Sequence, residues 1–539
     1  MTMKNRNEAL DSYWRIGEPM VWISATALAL TLLSAATLLI VIMVNGLGVF
    51  WPSDIEKVHL KDRPPVFGQL IRTEENAEKT GLRRQYKIAN RDLYGLDFRW
   101  IDESQIDETQ RPADLIVLER VEHGDFYGRL KTMTGPHTET SAVDLAGLNS
   151  ALEKTTVELD QLSELEDKLS DASYRLEQLR LKQLKLDYDN APVDTAAQSQ
   201  LQRDKAELDR EFGALITLQT RRLAEVRKAK AIFVDAAGQE KEISLVDIFQ
   251  AYAPNTMSTG DKVVFYLHKL AELFIGEPRE SNTEGGLFPA IFGTVMLIFV
   301  MSLFSFPLGV IAAIYLREYA KEGVVVRIVR IAVNNLAGIP SIVYGIFGLG
   351  FFVYGIGHGI DMLFFPERTP TPTFGTGGLL WASLTLALLT VPVVIVSTEE
   401  ALGAIPREMR EGSYALGATK FQTLYRVLLP MTSPGIMTGL ILAMARAAGE
   451  VAPLMITGVV KLAPALPIDG NFPFLHLDRK FMHLGFHIYD IGFQSPNVEA
   501  AKPMVFVTTL LLVLIVLLMS SVAIGLRNRM KKRYTFGTF

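Results

Sequence analysis

EGSYALGATKFQTLYRVLLP, residues 411–430, lies between two apolar stretches and decides how the rest of this chain is read. Its register is Glu411-Gly412-Ser413, three residues, Gly417, nine residues, Val427, one residue, then Leu429-Pro430. Physically this spells a short helix, a bend that only glycine makes cheaply, a second helix and a proline stop. In that second helix Phe421, Leu424, Tyr425 and Leu428 recur at helical spacing, as if on one face. A short helix pair with an exposed apolar face is a knob for a partner's groove.

Working outward, the flanking sequence is built for a bilayer. Apolar residues gather in blocks of about 20 or more, the length that crosses a hydrocarbon core of roughly 30 Å. Six blocks are read, at 21–45, 288–316, 331–356, 379–398, 435–460 and 503–526. The net charge of −5 hides an asymmetry between the connecting segments. Basic residues cluster at Lys4, Arg6 and Arg15, and at Arg317, Lys321, Arg327 and Arg330. They recur at Arg407, Arg410, Lys420 and Arg426, and at Arg527, Arg529, Lys531, Lys532 and Arg533. By the positive-inside rule these four segments, including residues 1–20 and the tail 527–539, are expected in the cytoplasm. The insertion at 46–286 and the loops at 357–378 and 461–502 then lie outside. The first apolar run, Val21 to Val44, exceeds the roughly 7–15 residues of a cleavable signal and is expected to be an uncleaved anchor. With no cysteine, disulfides and thiolate metal sites are excluded.

The outer insertion changes texture along its length. Residues 51–143 hold short alternating runs such as YKIANRDLYGLDFRW and DLIVLER, the pattern of a small β-rich module. Leu162, Leu165, Leu169, Ala172, Leu176 and Leu179 then alternate at spacings of three and four, the seam of a coiled coil. Leu145, Leu148, Leu152 and Leu159 extend it upstream. DNAPVD at 189–194 breaks the helix, and Leu201, Leu208, Phe212, Leu215, Leu223 and Val226 supply a second stripe. Two helices of roughly 40 residues predict an antiparallel hairpin about 60 Å long over 144–230. AIFVDAAGQEKEISLVDIFQAY then predicts strand, turn at Ala237–Gln239, strand and short helix, closing the module that the hairpin interrupts. Nothing here reads as catalytic. The eight histidines fall in no metal-binding pattern, so no metal site is expected.

The 411–430 register resembles the EAA loop of ABC importer permeases: E-A-A, three residues, G, nine residues, I, x, L-P. Gly412 and Ser413 stand for the two alanines and Val427 for the isoleucine, all small or apolar exchanges. The stretches LFPAIFGTVMLIFVMSLFSFPLGVIAAIYLREYA, IAVNNLAGIPSIVYGIFGLGFFV and ARAAGEVAPLMITG resemble phosphate-specific permeases of the PstA type, over about 285–539. The partner permease of such a transporter shares these helices. The long insertion departs from shorter members, while DAAGQEKEISLVDI resembles the ectodomain of extended ones.

That resemblance implies an α-helical polytopic fold with six spans, a permease core at 287–526, and an α+β ectodomain carrying the coiled-coil hairpin. It implies that the loop at 399–432 docks an ATPase through Glu411, Gly412, Ser413, Gly417, Val427, Leu429 and Pro430. The implied partners are a second homologous permease, a cytoplasmic ATP-binding dimer, a periplasmic phosphate-binding protein and the lipid bilayer, with no nucleic acid. The implied setting is the bacterial inner membrane. No GxxxxGK[ST] occurs in the chain, so ATP and Mg would be used by the separate ATPase, with no cofactor and no catalytic residue here. The rival expectations are a permease for another oxyanion, such as sulfate or molybdate, and a membrane-anchored coiled-coil scaffold or sensor.

The expected fifth span raises one further question. ARAAGEVAP, 445–453, places Arg446 and Glu450 four residues apart inside an apolar run. Facing lipid, each would cost about 2.5–3.5 kcal/mol on the insertion scale, so a pair facing a pathway or a protein partner is expected. Arginine offers a planar fork suited to oxyanions, and the carboxylate can hold that fork until an anion arrives. Translocation gate, structural ion pair between permeases and misplaced span boundary all stay open. In the expected third span Asn334 and Asn335 start the helix, and Gly338, Pro340 and Ser341 break it. Asn335, Pro340 and Ser341 are thus candidates for a hinge or pathway lining, or for a plain packing kink. Gly345, Gly348 and Gly350 would permit close helix contact. FMHLGFHIYDIGF, 481–493, reads as an outer interfacial segment with incidental histidines.

Overall fold

A computed structural model describes residues 18–75, 81–136, 143–188, 195–368, 372–472, 474–495 and 497–534. Among these, six helices are long and apolar enough to cross a membrane: Met20–Gly48, Phe288–Tyr319, Ser341–Phe364, Leu379–Gly403, Lys420–Gly449 and Val498–Lys532. They are the first to sixth spans below. Two of them correct the expected boundaries. The third is not 331–356, because residues 324–336 form a separate amphipathic helix, Val324–Leu336, that stops at the Ala337–Pro340 break. Asn335 therefore ends that helix instead of opening a span. The fifth is not 435–460; it starts at Lys420 and stops at Gly449.

The fourth span is the core of the bundle. Leu379, Ala382, Leu386 and Leu389 are fully buried against Leu297, Ile298 and Met301 of the second span and Ala447 and Ala448 of the fifth. Small residues set this spacing. A Cβ on Gly309 would lie 2.7 Å from Val394, and one on Gly439 2.7 Å from Ser397. Gly345 and Gly348 likewise abut Pro453 and Thr385, whereas Gly350 faces open space. The first span packs on the sixth at one edge, Gly46 against Phe506.

Between the first and second spans, ten strands form two five-stranded sheets: β1 (Glu56–Leu60), β2 (Val66–Glu75), β3 (Leu82–Lys87), β4 (Phe98–Asp102), β5 (Ile106–Gln110), β6 (Ile116–Arg120), β7 (Phe126–Thr134), β8 (Lys230–Val234), β9 (Glu240–Ser244) and β10 (Ile248–Tyr252). Their orders are β4-β3-β2-β1-β5 and β10-β6-β7-β8-β9. The helix expected after β9 is a single 3-10 turn followed by strand β10; a true helix, Thr259–Ile275, comes later behind a Ser258/Asp261 capping box.

β7 and β8 pair directly, Thr134 opposite Lys230, although a pair of long helices separates them in sequence. These are Leu145–Tyr188 and Thr195–Val226, 44 and 32 residues long, so the second is shorter than expected. DNAPVD at 189–194 lies outside the described residues. Leu162, Leu165 and Val226 are buried between the helices, and Gln219 and Arg222 bond to Glu166 and Gln161, which fixes an antiparallel sense. Upstream, Leu148, Ala151 and Leu152 leave that seam and pack under the second sheet with Phe126 and Phe233. Further along, the Tyr174 hydroxyl donates to the Phe472 carbonyl at 2.9 Å, so the hairpin reaches the loop between the fifth and sixth spans.

Polar contacts hold the inserted domain together and tie it to the adjoining span ends. Asn282 donates to the Lys461 carbonyl at 2.7 Å, and Lys269 lies buried between Glu119 and Glu272. Arg91 pairs with Glu280 and Arg279 with Glu272. Under this seam is a cavity of about 570 Å³ bordered by Lys87, Asp125, Arg279 and Glu284 and by the ends of the first and sixth spans. The 481–493 segment corrects its expectation as well, because its histidines are buried and bonded. His483 accepts from the Gly485 N–H, and His487 bridges Thr508 of the sixth span and the Asn282 carbonyl.

Candidate functional site

At the opposite end of the bundle from the ectodomain, the fourth span ends in a compact knob. Its first helix is Arg407–Ala415, and Gly417 turns the chain with φ +82°, a left-handed conformation costly for any residue with a Cβ. Thr419 then caps the next helix: its hydroxyl accepts from the Gln422 N–H, and the Gln422 side chain accepts from the Thr419 N–H. The two helices are tied by a 2.8 Å hydroxyl contact between Ser413 and Thr423.

Pro430 does not stop the second helix, which runs unbroken into the fifth span. Leu424–Leu428 forms a π-turn in which the Leu429 N–H bonds the Leu424 carbonyl, an i→i+5 register. This wider turn comes immediately before Pro430, which has no N–H to donate. The expected single apolar face also divides in two. Leu424 and Leu428 point inward onto Leu402 and Ile405, with Leu429 packed against them. Phe421 and Tyr425 point outward, each 66% exposed, with their rings parallel and 6.3 Å apart. Leu416 beside them is 91% exposed. Glu411 and Gly412 are on the surface, while Val427 and Pro430 are half-buried. The seven residues singled out in the loop therefore share one knob, whose apolar tip belongs to residues outside the motif.

The other candidates gather about two helix breaks. Arg446 is in the last turn of the fifth span, and Glu450 caps it with extended backbone. Glu450 is thus at the helix end, not inside a span as 435–460 implied. The two side chains still meet, Arg446 Nε to Glu450 Oε1 at 3.8 Å, with 34% and 21% of each exposed. A short helix, Ala452–Thr457, follows and packs on the start of the third span, where Pro453 Cα would lie 2.7 Å from a Cβ on Gly345. That start is itself a break: Pro340 precedes Ser341, and Asn335 accepts from the Gly338 N–H through its carbonyl. Asn335 and Pro340 are exposed and Ser341 half-buried. The Tyr344 hydroxyl crosses the break to bond the Leu336 carbonyl at 2.8 Å, satisfying a group the break frees. Tyr344 packs in one cluster with Ala447, Ala448 and Leu454. Sequence reasoning passed over Tyr344, since an aromatic in an apolar run carries no signal.

It also passed over Arg410, which looks like one more cytoplasmic cation. Its guanidinium bonds Glu318 at 2.9 Å and the Leu402 and Ile405 carbonyls at 2.7 and 2.9 Å.

Comparison with known proteins agrees with this architecture. A family described as "Binding-protein-dependent transport system inner membrane component" matches residues 305–533. "Probable ABC transporter permease protein YqgH" of Bacillus subtilis is 34% identical, covering 36% of this chain and 59% of that protein. "Probable phosphate transport system permease protein PstA" of Methanocaldococcus jannaschii is 34% identical over 40% of this chain and 67% of its own length. "Phosphate transport system permease protein PstA" of Mycobacterium leprae is 36% identical over 36% and 58% respectively. The chain thus spans roughly three-fifths to two-thirds of these relatives. With its long apolar helices and its knob, the chain belongs to the binding-protein-dependent inner membrane components, the permeases of ABC transporters.

Proposed function

We propose that this chain is the permease subunit of an ATP-driven importer of inorganic phosphate. The carrying observation is the continuity of one helix, which begins at the exposed knob and ends at the Arg446–Glu450 pair. In this reading the tip formed by Leu416, Phe421 and Tyr425 enters a groove of a cytoplasmic ATPase dimer, which binds ATP and Mg. A second permease and an external phosphate-binding protein complete the assembly. The basic segments favour a knob and both termini in the cytoplasm and the inserted domain, with its coiled-coil hairpin, in the periplasm.

ATPase closure displaces the knob, and the helix carries that displacement to Arg446. The pair there is loose, so phosphate oxygens can take over the guanidinium fork while the displaced, part-exposed Glu450 carboxylate turns to water. Relatives named for phosphate transport support the choice of anion.

The test is ATP turnover and anion uptake by the complex reconstituted in liposomes with the binding protein. Phosphate should stimulate both, and Arg446→Gln should abolish uptake while the subunits still co-purify. Stimulation by sulfate or molybdate alone would sink the phosphate assignment. Loss of assembly in Arg446→Gln would make the pair structural. A complex that recruits no ATPase would return the chain to the scaffold reading.

A further inference from the structure

We infer that Arg410 is a positioning residue that makes the second and fourth spans follow the coupling knob, by gripping the π-turn that ends the second span. The inference rests on the transporter reading above and goes beyond the loop motif, since neither Arg410 nor its partners belong to that motif.

The geometry comes in three parts. First, the covalent path from the knob leads only into the fourth span behind it and the fifth span ahead, because the helix at Lys420 continues to Gly449. The second span has no such link to the knob. Second, that span ends in a π-turn, Tyr315–Tyr319, carrying Glu318. Glu318 is 9% exposed and Arg410 18%, so the pair is withdrawn from water. One Arg410 nitrogen, Nη2, bonds both Glu318 and the Leu402 carbonyl, while Nη1 bonds the Ile405 carbonyl. Leu402 is in the last turn of the fourth span, where carbonyls lack helical partners. A rigid fork thus joins knob, second span and fourth span through a single side chain.

Third, the same π-turn is gripped from two other elements. Lys420, at the start of the second knob helix, sits 4.9 Å above the Tyr319 ring. Arg330, on the amphipathic helix Val324–Leu336, donates to the Leu316 carbonyl at 3.1 Å and approaches Glu399 of the fourth span at 3.4 Å. Cations from both knob helices and from the helix after the turn therefore converge on five residues. A knob that moved without the second span would have to break a withdrawn ion pair and uncap the fourth span together.

A simple helix cap predicts something different. Lysine caps carbonyls too, and a cap does not need Glu318. The experiment is therefore Arg410→Lys and Glu318→Gln in the full transporter complex. ATPase co-purification, ATP hydrolysis and anion uptake are measured in each. Both variants should keep co-purification and hydrolysis within about twofold, while uptake per ATP falls about tenfold, an ordinary coupling energy. Wild-type uptake per ATP in Glu318→Gln overturns the inference. So does loss of the ATPase subunit from both variants, which would make the contact a structural support of the knob. Uptake is read with whichever anion stimulates the wild type. A wrong substrate then shows in the wild type, and a wrong role for Arg410 only in the variants.

Discussion

Glu284 illustrates what a single residue contributes and why sequence alone does not reveal it. In the sequence it is one carboxylate in a polar stretch before the second span. In the structure it borders the cavity under the ectodomain, where burial first and the Asp125 carboxylate next raise its pKa from 4.5 to about 8. The folded chain therefore holds a proton between pH 4.5 and 8 that the unfolded chain has released. Stability from this group is full below that window and is lost as pH rises through it. Allowing for water in the cavity, the effect is roughly 1–2 kcal/mol. Glu284→Gln mimics the protonated form. In thermal unfolding of the full chain in detergent, the variant should match wild type near pH 5 and exceed it by about 1–2 °C above pH 8. An equal gap at both pH values would mean that Glu284 does not titrate in this window. Charged positions resist reading from sequence in general here. Arg446 stood out because its neighbours are apolar, whereas Arg410 sits among other basic residues and only its partners distinguish it.

At the scale of elements, fixed spacing was legible and helix continuity was not. The register from Glu411 to Pro430 marks the knob because a glycine bend and a capping box are local chemistry. Pro430 misleads because proline ordinarily ends a helix, and the preceding π-turn that accommodates it has no sequence signature. The same limit moved the third and fifth spans, since hydropathy alone does not register the breaks at Ala337–Pro340 and Glu450. Gly417 gives the element its sharpest test. A Cβ there meets open space, so substitution acts through φ +82° alone and not through a clash. A branched or bulky residue should cost roughly 1–2 kcal/mol, whereas asparagine tolerates the left-handed region. Gly417→Leu should therefore weaken ATPase co-purification and uncouple hydrolysis from uptake, and Gly417→Asn should retain most of both. Equal behaviour of the two variants would mean that the bend does not set the knob's shape.

For the whole molecule, the open matter is whether the long helical hairpin is a requirement of transport or an addition to it. Its construction favours an addition. β7 and β8 pair without it, and the chain leaves and re-enters the sheet at neighbouring positions, Thr134 and Lys230. Its base is different, because Leu148, Ala151 and Leu152 cover the second sheet and cannot be removed without exposing Phe126 and Phe233. Among the described residues, the first hairpin helix touches the span bundle through Tyr174, which bonds the loop at Phe472, and packs against residues 366–368 before the fourth span. Replacing residues 169–211 by a short glycine-rich turn should therefore leave the ectodomain seam and the coupling knob intact. Loop-closure entropy makes the shorter connection no harder to form. The prediction is a chain that inserts, binds its ATPase and keeps more than about half of the wild-type uptake, since the coupling path from Leu416 to Arg446 lies wholly in the span bundle. Cleavage patterns under limited proteolysis should show only the missing hairpin. If uptake instead collapses while assembly persists, the contact at Phe472 belongs to the outer gate. The hairpin would then be part of the transport cycle rather than a neighbour to it.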